Sequence, residues 1–280
     1  MIYVGVDYSI HSPALCILND DTMHFVSLAR EGVASMDFYK TLNKFDIRMD
    51  ISAKLEGSKK MLVNSRESTL DSLLLASNAI SLIKQIAGNN SDPTENIFAI
   101  EGFSYNSVGN RLVQFAGYQY VFRNMLIMSG LMSPDYVDKN LWVFAPQTVK
   151  ANALAGRDDR GETGKLPMLK AFREESLETR QLIGLAEHPF WQELKNNPQT
   201  FQDKKGNFLK PLDDIIDSYF VLKTYFRIIE DPVILKKYMY YNNTESKTTK
   251  KSKKHSQNPA ISKRFKGKSK VKQVNTNIVN

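Results

Sequence analysis

Pro211-Leu-Asp-Asp-Ile-Ile-Asp-Ser-Tyr-Phe220 reads as the opening turns of a helix that is apolar on one side and acidic on the other. Leu212, Ile215, Ile216, Tyr219 and Leu222 recur at helical spacing, and proline is well tolerated where a helix begins. At about 100° per residue, Asp214 and Asp217 share one face with Ser218 and Val221, while the bulkier apolar side chains point away. Asp213 projects within about 40° of Asp217 and stands as an alternative to Asp214. The positive end of a helix accounts for acids at Asp213 and Asp214. It does not account for Asp217, which lies past the first turn and repels Asp214 unless a cation intervenes.

Working outward, two short apolar runs also close on an acid: Ile2-Tyr3-Val4-Gly5-Val6 before Asp7, and Ile97-Phe98-Ala99-Ile100 before Glu101. Both suit strands buried on two faces. Ala14–Leu18 and Met23–Leu28, joined through Asn19-Asp20-Asp21, form an antiparallel hairpin that continues from the first strand. A helical stripe from about Ser68 to Ala87 separates the hairpin from the Glu101 strand, which implies a parallel crossover. A loop from Gly102 to Gly109 carries Phe103 and Tyr105. A helix follows from about Arg111 to Met128, then a strand at Leu141–Phe144 and a short helix holding Lys150. The glycine-rich loop 156–164 carries Arg157 and Arg160, and helical sequence resumes from about Leu166 to Glu175. Residues 30–65 have no clear period and read as an insertion or loop; 176–208 read as a second insertion covering one edge. The sum is an α/β domain over 1–242, with a mixed five-stranded central sheet flanked by helices.

The 280 residues, 42% of them hydrophobic, suffice for a substantial core. One cysteine, Cys16, excludes a disulfide framework, and four scattered histidines give no zinc spacing. The N-terminus has no signal-peptide pattern and no run is long enough for a membrane span, so an intracellular setting is expected. The net charge of +8 is unevenly divided. Residues 243–280 hold 11 basic residues and one acid, net +10, which leaves −2 for 1–242. That tail is expected to be disordered and to act as a nucleic-acid arm, gaining affinity by releasing counterions from phosphates.

Asp7 and Glu101 end central strands on the edge where open α/β sheets build their sites. Four acids converging there would repel one another strongly unless divalent cations neutralised them, and oxygen-only ligands favour Mg²⁺ or Mn²⁺. Two such ions about 4 Å apart suit in-line phosphodiester cleavage. At this point Val4-Gly-Val-Asp-Tyr-Ser-Ile-His-Ser12, Ala99-Ile-Glu101, Ala145-Pro-Gln-Thr-Val-Lys150 and Asp214-x-x-Asp217 together resemble RuvC-type Holliday junction resolvases, of the RNase H-like superfamily. The resemblance covers residues 1–28 and 97–228 in outline, and the additional segments and basic tail point to a viral or phage member. It implies an RNase H-like fold with Asp7, Glu101, Asp214 and Asp217 as catalytic metal ligands, and two Mg²⁺ or Mn²⁺ ions per site. It also implies Lys150 and Lys165 near DNA, Phe103 or Tyr105 as an aromatic presented to the junction centre, and a homodimer that nicks a four-way junction symmetrically. Arg157 and Arg160 are further candidates for phosphate contact. The sequence departs from the family in having Tyr8-Ser9-Ile10-His11 where a glycine pair often follows the first acid.

Other readings remain open on sequence alone: an RNase H-like nuclease acting on RNA–DNA hybrids or flaps, and an architectural DNA-binding protein without catalysis. A sugar-kinase or actin-like reading lacks the glycine-rich phosphate loop that it needs after Asp7.

Overall fold

The six residues Ile2–Asp7 form β1, and their alternation decides both faces of the sheet. The chain is described here by a computed structural model covering residues 1–53, 65–88, 91–103, 110–157, 165–176, 184–231 and 233–235, all within one compact unit, Met1–Lys236. β1 turns back antiparallel through β2 (Ala14–Asn19), which pairs antiparallel with β3 (Thr22–Arg30). Next come α1 (Met36–Lys44), β4 (Ile47–Ser52) and the long α2 (Ser65–Ala87). β5 (Ile97–Glu101) then pairs parallel with β1. After α3 (Asn110–Met128) and the one-turn α4 (Val137–Asn140), β6 (Leu141–Phe144) pairs parallel with β5. Further α-helices among the described residues are α5 (Pro146–Ala153), α6 (Leu166–Arg173), α7 (Pro189–Asn196) and α8 (Leu212–Glu230).

The sheet order is β4-β3-β2-β1-β5-β6, with β2 antiparallel to all the others. This is a mixed α/β architecture with RNase H-like strand order, but it has six strands rather than the expected five. The additional strand is β4, parallel to β3, inside the stretch that the sequence left unassigned. Only Ile47 of its six residues is buried. An edge strand so exposed carries no hydrophobic alternation to read. In front of it, α1 is capped by the Ser35 hydroxyl, which accepts the Phe38 amide, and buries Phe38, Tyr39 and Leu42. In the second proposed insertion, α7 buries Phe190, Trp191 and Leu194.

Val4, Val6, Leu15, Ile17, Val26, Leu28, Phe98 and Ile100 face one side of the sheet. There they pack with Ala76, Ala79 and Ile83 of α2 and Tyr118, Phe122 and Leu126 of α3. The opposite side receives α8. The Tyr3 ring lies 5.1 Å from Phe226 and 6.1 Å from Tyr225, and Phe25 packs edge-on against Phe172 of α6 and Phe190 of α7. Leu212, Ile215, Ile216, Tyr219, Phe220 and Leu222 of α8 are all at most 1% exposed. Each such side chain contributes about 1.5–3 kcal/mol by leaving water. Gly5 is what lets the helix approach so closely. A Cβ there would stand 2.6 Å from Leu222 Cβ and 2.8 Å from its amide nitrogen, and closer still to the Ser218 carbonyl.

Candidate active site

Parallel pairing of β1 with β5 matches Val6 to Ile100, so the next residues, Asp7 and Glu101, emerge side by side at the same sheet edge. Both fall on the α8 side of the pleat. α8 lies against β1 over Gly5 and delivers Asp214 and Asp217 from its first turns to the same place. Carboxylate oxygens of Asp7, Asp214 and Asp217 all lie within 4.8 Å of one another, and Glu101 lines the same cleft. Asp214, not Asp213, is the α8 acid in this group. Asp7 is 8% and Asp214 4% exposed. The four line a cleft of about 310 Å³ whose other wall is apolar, formed by Phe103, Leu112 and Phe115.

Burial is the main cause of every carboxyl shift here. It holds the Asp7 pKa well above the usual carboxylate range, helped by Asp214, Glu101 and Asp217. Glu101 is pushed up to about 7 by burial and Asp217, and Asp214 to about 6 by burial and Asp213, against the opposing pull of Lys165 and Lys210 respectively. Asp217 is raised by burial despite its ion pair with Lys165. Burial works against the Lys165 ammonium too, but Asp217 and Asp213 outweigh it and keep its pKa above normal. The group thus holds protons, or it holds cations. Its donors are all carboxylate oxygens, the set that suits Mg²⁺ or Mn²⁺, and Asp7, Glu101, Asp214 and Asp217 could share such ions between them.

Lys165, immediately before α6, joins the cleft lining and pairs with Asp217. Phe103 lines the cleft as well, its ring 6.0 Å from the Arg123 guanidinium. Lys150, on α5, is not among the lining residues, although Pro146 of the same helix is. Arg157 pairs with Glu174 at 2.7 Å and is not among the residues that line the cleft. Tyr105, Arg160 and the basic stretch 243–280 lie outside the described residues. Two residues that the sequence reading passed over are also present. The Ser12 hydroxyl, 2% exposed, donates to Asp214 Oδ2, and Lys210 reaches Asp214 at 3.2 and 3.3 Å. Lys210 was visible in principle as a basic residue four positions before Asp214, just ahead of the helix. Ser12 was not, because its partner is 202 residues away.

No family model matches this chain, and no curated protein matches it. Solved structures similar to it include that of RuvC from Thermus thermophilus, at 10% identity and a TM-score of 0.40, over 81% of this chain and 96% of that one. Another is T. thermophilus RuvC in complex with a Holliday junction substrate, at 9% identity and a TM-score of 0.39, with the same coverage.

Proposed function

We propose that this chain is a metal-dependent, structure-selective DNA endonuclease that resolves four-way junctions and other branched DNA by phosphodiester hydrolysis. The observation that carries the reading is the meeting of Asp7, Glu101, Asp214 and Asp217, from β1, β5 and α8, at one sheet edge beside a lysine. Asp7, Glu101, Asp214 and Asp217 would hold two Mg²⁺ or Mn²⁺ ions, which when bound supply an activated water and stabilise the leaving oxygen. The chain's own residues do the remainder. Lys165 sets a positive charge where a scissile phosphate would lie, and Phe103 offers an aromatic face beside it for an unpaired base. Lys150, Arg157, Arg160 and Tyr105 contribute further DNA contacts. Two copies of the chain, as a homodimer, would cut the two strands of a symmetric junction.

The test is incubation with a synthetic four-way junction, a linear duplex and an RNA–DNA hybrid, each with and without Mg²⁺. Mg²⁺-dependent paired nicks in the junction are expected; cutting of the hybrid alone would select the hybrid-nuclease reading instead. Asp7→Asn and Glu101→Gln should each lower cleavage by about a thousandfold or more, yet bind the junction in Ca²⁺ about as well as the parent. Undiminished cleavage by both variants would remove the assignment.

A further inference from the structure

Asp213, the acid left out of the carboxylate cluster, has its own partners. Its Oδ2 lies 3.3 Å from Lys210 Nζ and 3.5 Å from Lys165 Nζ. Each of these lysines also touches one α8 acid of the cluster: Lys210 reaches both oxygens of Asp214, and Lys165 pairs with Asp217. One aspartate therefore gathers two ammonium groups at the rim of the cleft. From this we propose that Lys210 is a further phosphate-handling residue of the site, positioned by Asp213, and that its ammonium competes with divalent cations for Asp214. The inference rests on the nuclease reading above.

The competition follows from what surrounds Asp214. Its Oδ2 already accepts from Ser12, which is buried in the β1–β2 connection. Arg30 fixes that connection, its Nε donating to the Ile10 carbonyl at 3.0 Å and its backbone amide to the His11 carbonyl at 3.0 Å. Ser12 cannot leave without moving the strand end. Lys210 can, because its side chain is 53% exposed on a flexible stem. With a cation held by Asp214, the Lys210 ammonium would lose those oxygens and be repelled. Asp213 then retains the ammonium at the rim, where a phosphate oxygen becomes its new partner. Lysine and phosphate thus come together only when the carboxylates are loaded. Lys165 stands in the same relation to Asp217.

The experiment compares Lys210→Met and Asp213→Asn with the parent full-length chain, using Mn²⁺ alone in calorimetry, junction binding in Ca²⁺ and cleavage in Mg²⁺. Lys210→Met is expected to bind Mn²⁺ about fivefold tighter, since a partly exposed competing ion pair is gone. It should nevertheless cut about ten- to a hundredfold more slowly, and its salt slope for junction binding should fall by about one. Asp213→Asn should also cut slowly, but with weaker Mn²⁺ binding. The opposite signs on metal affinity separate these roles from a folding defect, which weakens both. Mn²⁺ binding by Lys210→Met that is no tighter than the parent's, or cleavage that is unaltered, would overturn the proposal. A parent chain that cuts no branched DNA would instead overturn the nuclease reading; the Mn²⁺ comparison needs no DNA and decides the competition separately.

Discussion

His188 is 5% exposed at the start of α7, with Nδ1 accepting the Phe190 amide at 3.3 Å and Nε2 without a hydrogen-bond partner among the described residues. Burial pushes its pKa down to about 4, against a partial opposing pull from Asp46, and the positive helix end further disfavours an imidazolium. In the folded state the ring stays neutral where the unfolded chain, with a pKa near 6.5, takes up a proton. Its contribution is therefore complete above about pH 6.5 and is lost as pH falls toward 4, up to roughly 3 kcal/mol. His188→Asn, which keeps a capping acceptor, should flatten the decline of denaturation midpoint between pH 7 and 4.5 relative to the parent; parallel profiles would refute the assignment. The residue scale is also where sequence reading stops soonest. Helical projection left Asp213 and Asp214 as alternatives, because both point toward the acidic face. Only the neighbours separate them: Lys165 for the first, Ser12 and Asp7 for the second, with Lys210 touching both. Lys165, Ser12 and Asp7 are distant in sequence from α8, and no spacing rule reaches them.

At the scale of elements, the packing of α8 on β1 governs the carboxylate separation. Gly5→Ala would drive a methyl group into the Ser218 carbonyl and the Leu222 backbone, which cannot yield as a side-chain tip can. The helix must shift outward. The expected cost is about 2–4 kcal/mol of stability, read by chemical denaturation. Divalent-cation affinity should fall further than stability alone predicts, because Asp214 and Asp217 move away from Asp7 together. Normal metal affinity in a folded Gly5→Ala protein would show that this contact does not set the site. The elements bearing the acids were legible because each is strongly patterned: continuous apolar runs at β1 and β5, a helical stripe at α8. β4 and α1 were not. One shields a single buried residue, and the other is nine residues long and buries three, too little signal to rise above an irregular stretch.

For the whole molecule, charge is the property that sequence alone already divides. Met1–Asn242 carries −2 and residues 243–280 carry +10. We propose the latter as a separate basic arm for DNA. Truncation after Tyr241 should weaken junction binding and reduce the slope of log affinity against log salt, while single-turnover cleavage at saturating protein is retained. An unchanged slope would mean that the arm does not meet phosphate. The four carboxylates belong to the unit Met1–Lys236, and their order along the chain has a temporal meaning. Asp7 and Glu101 leave the ribosome well before Asp214 and Asp217, which sit on the last long helix of the unit. A product that ends before Asp214 has at most half of the acidic set. Synthesis must run nearly to the end of the unit Met1–Lys236 before the four carboxylates can meet.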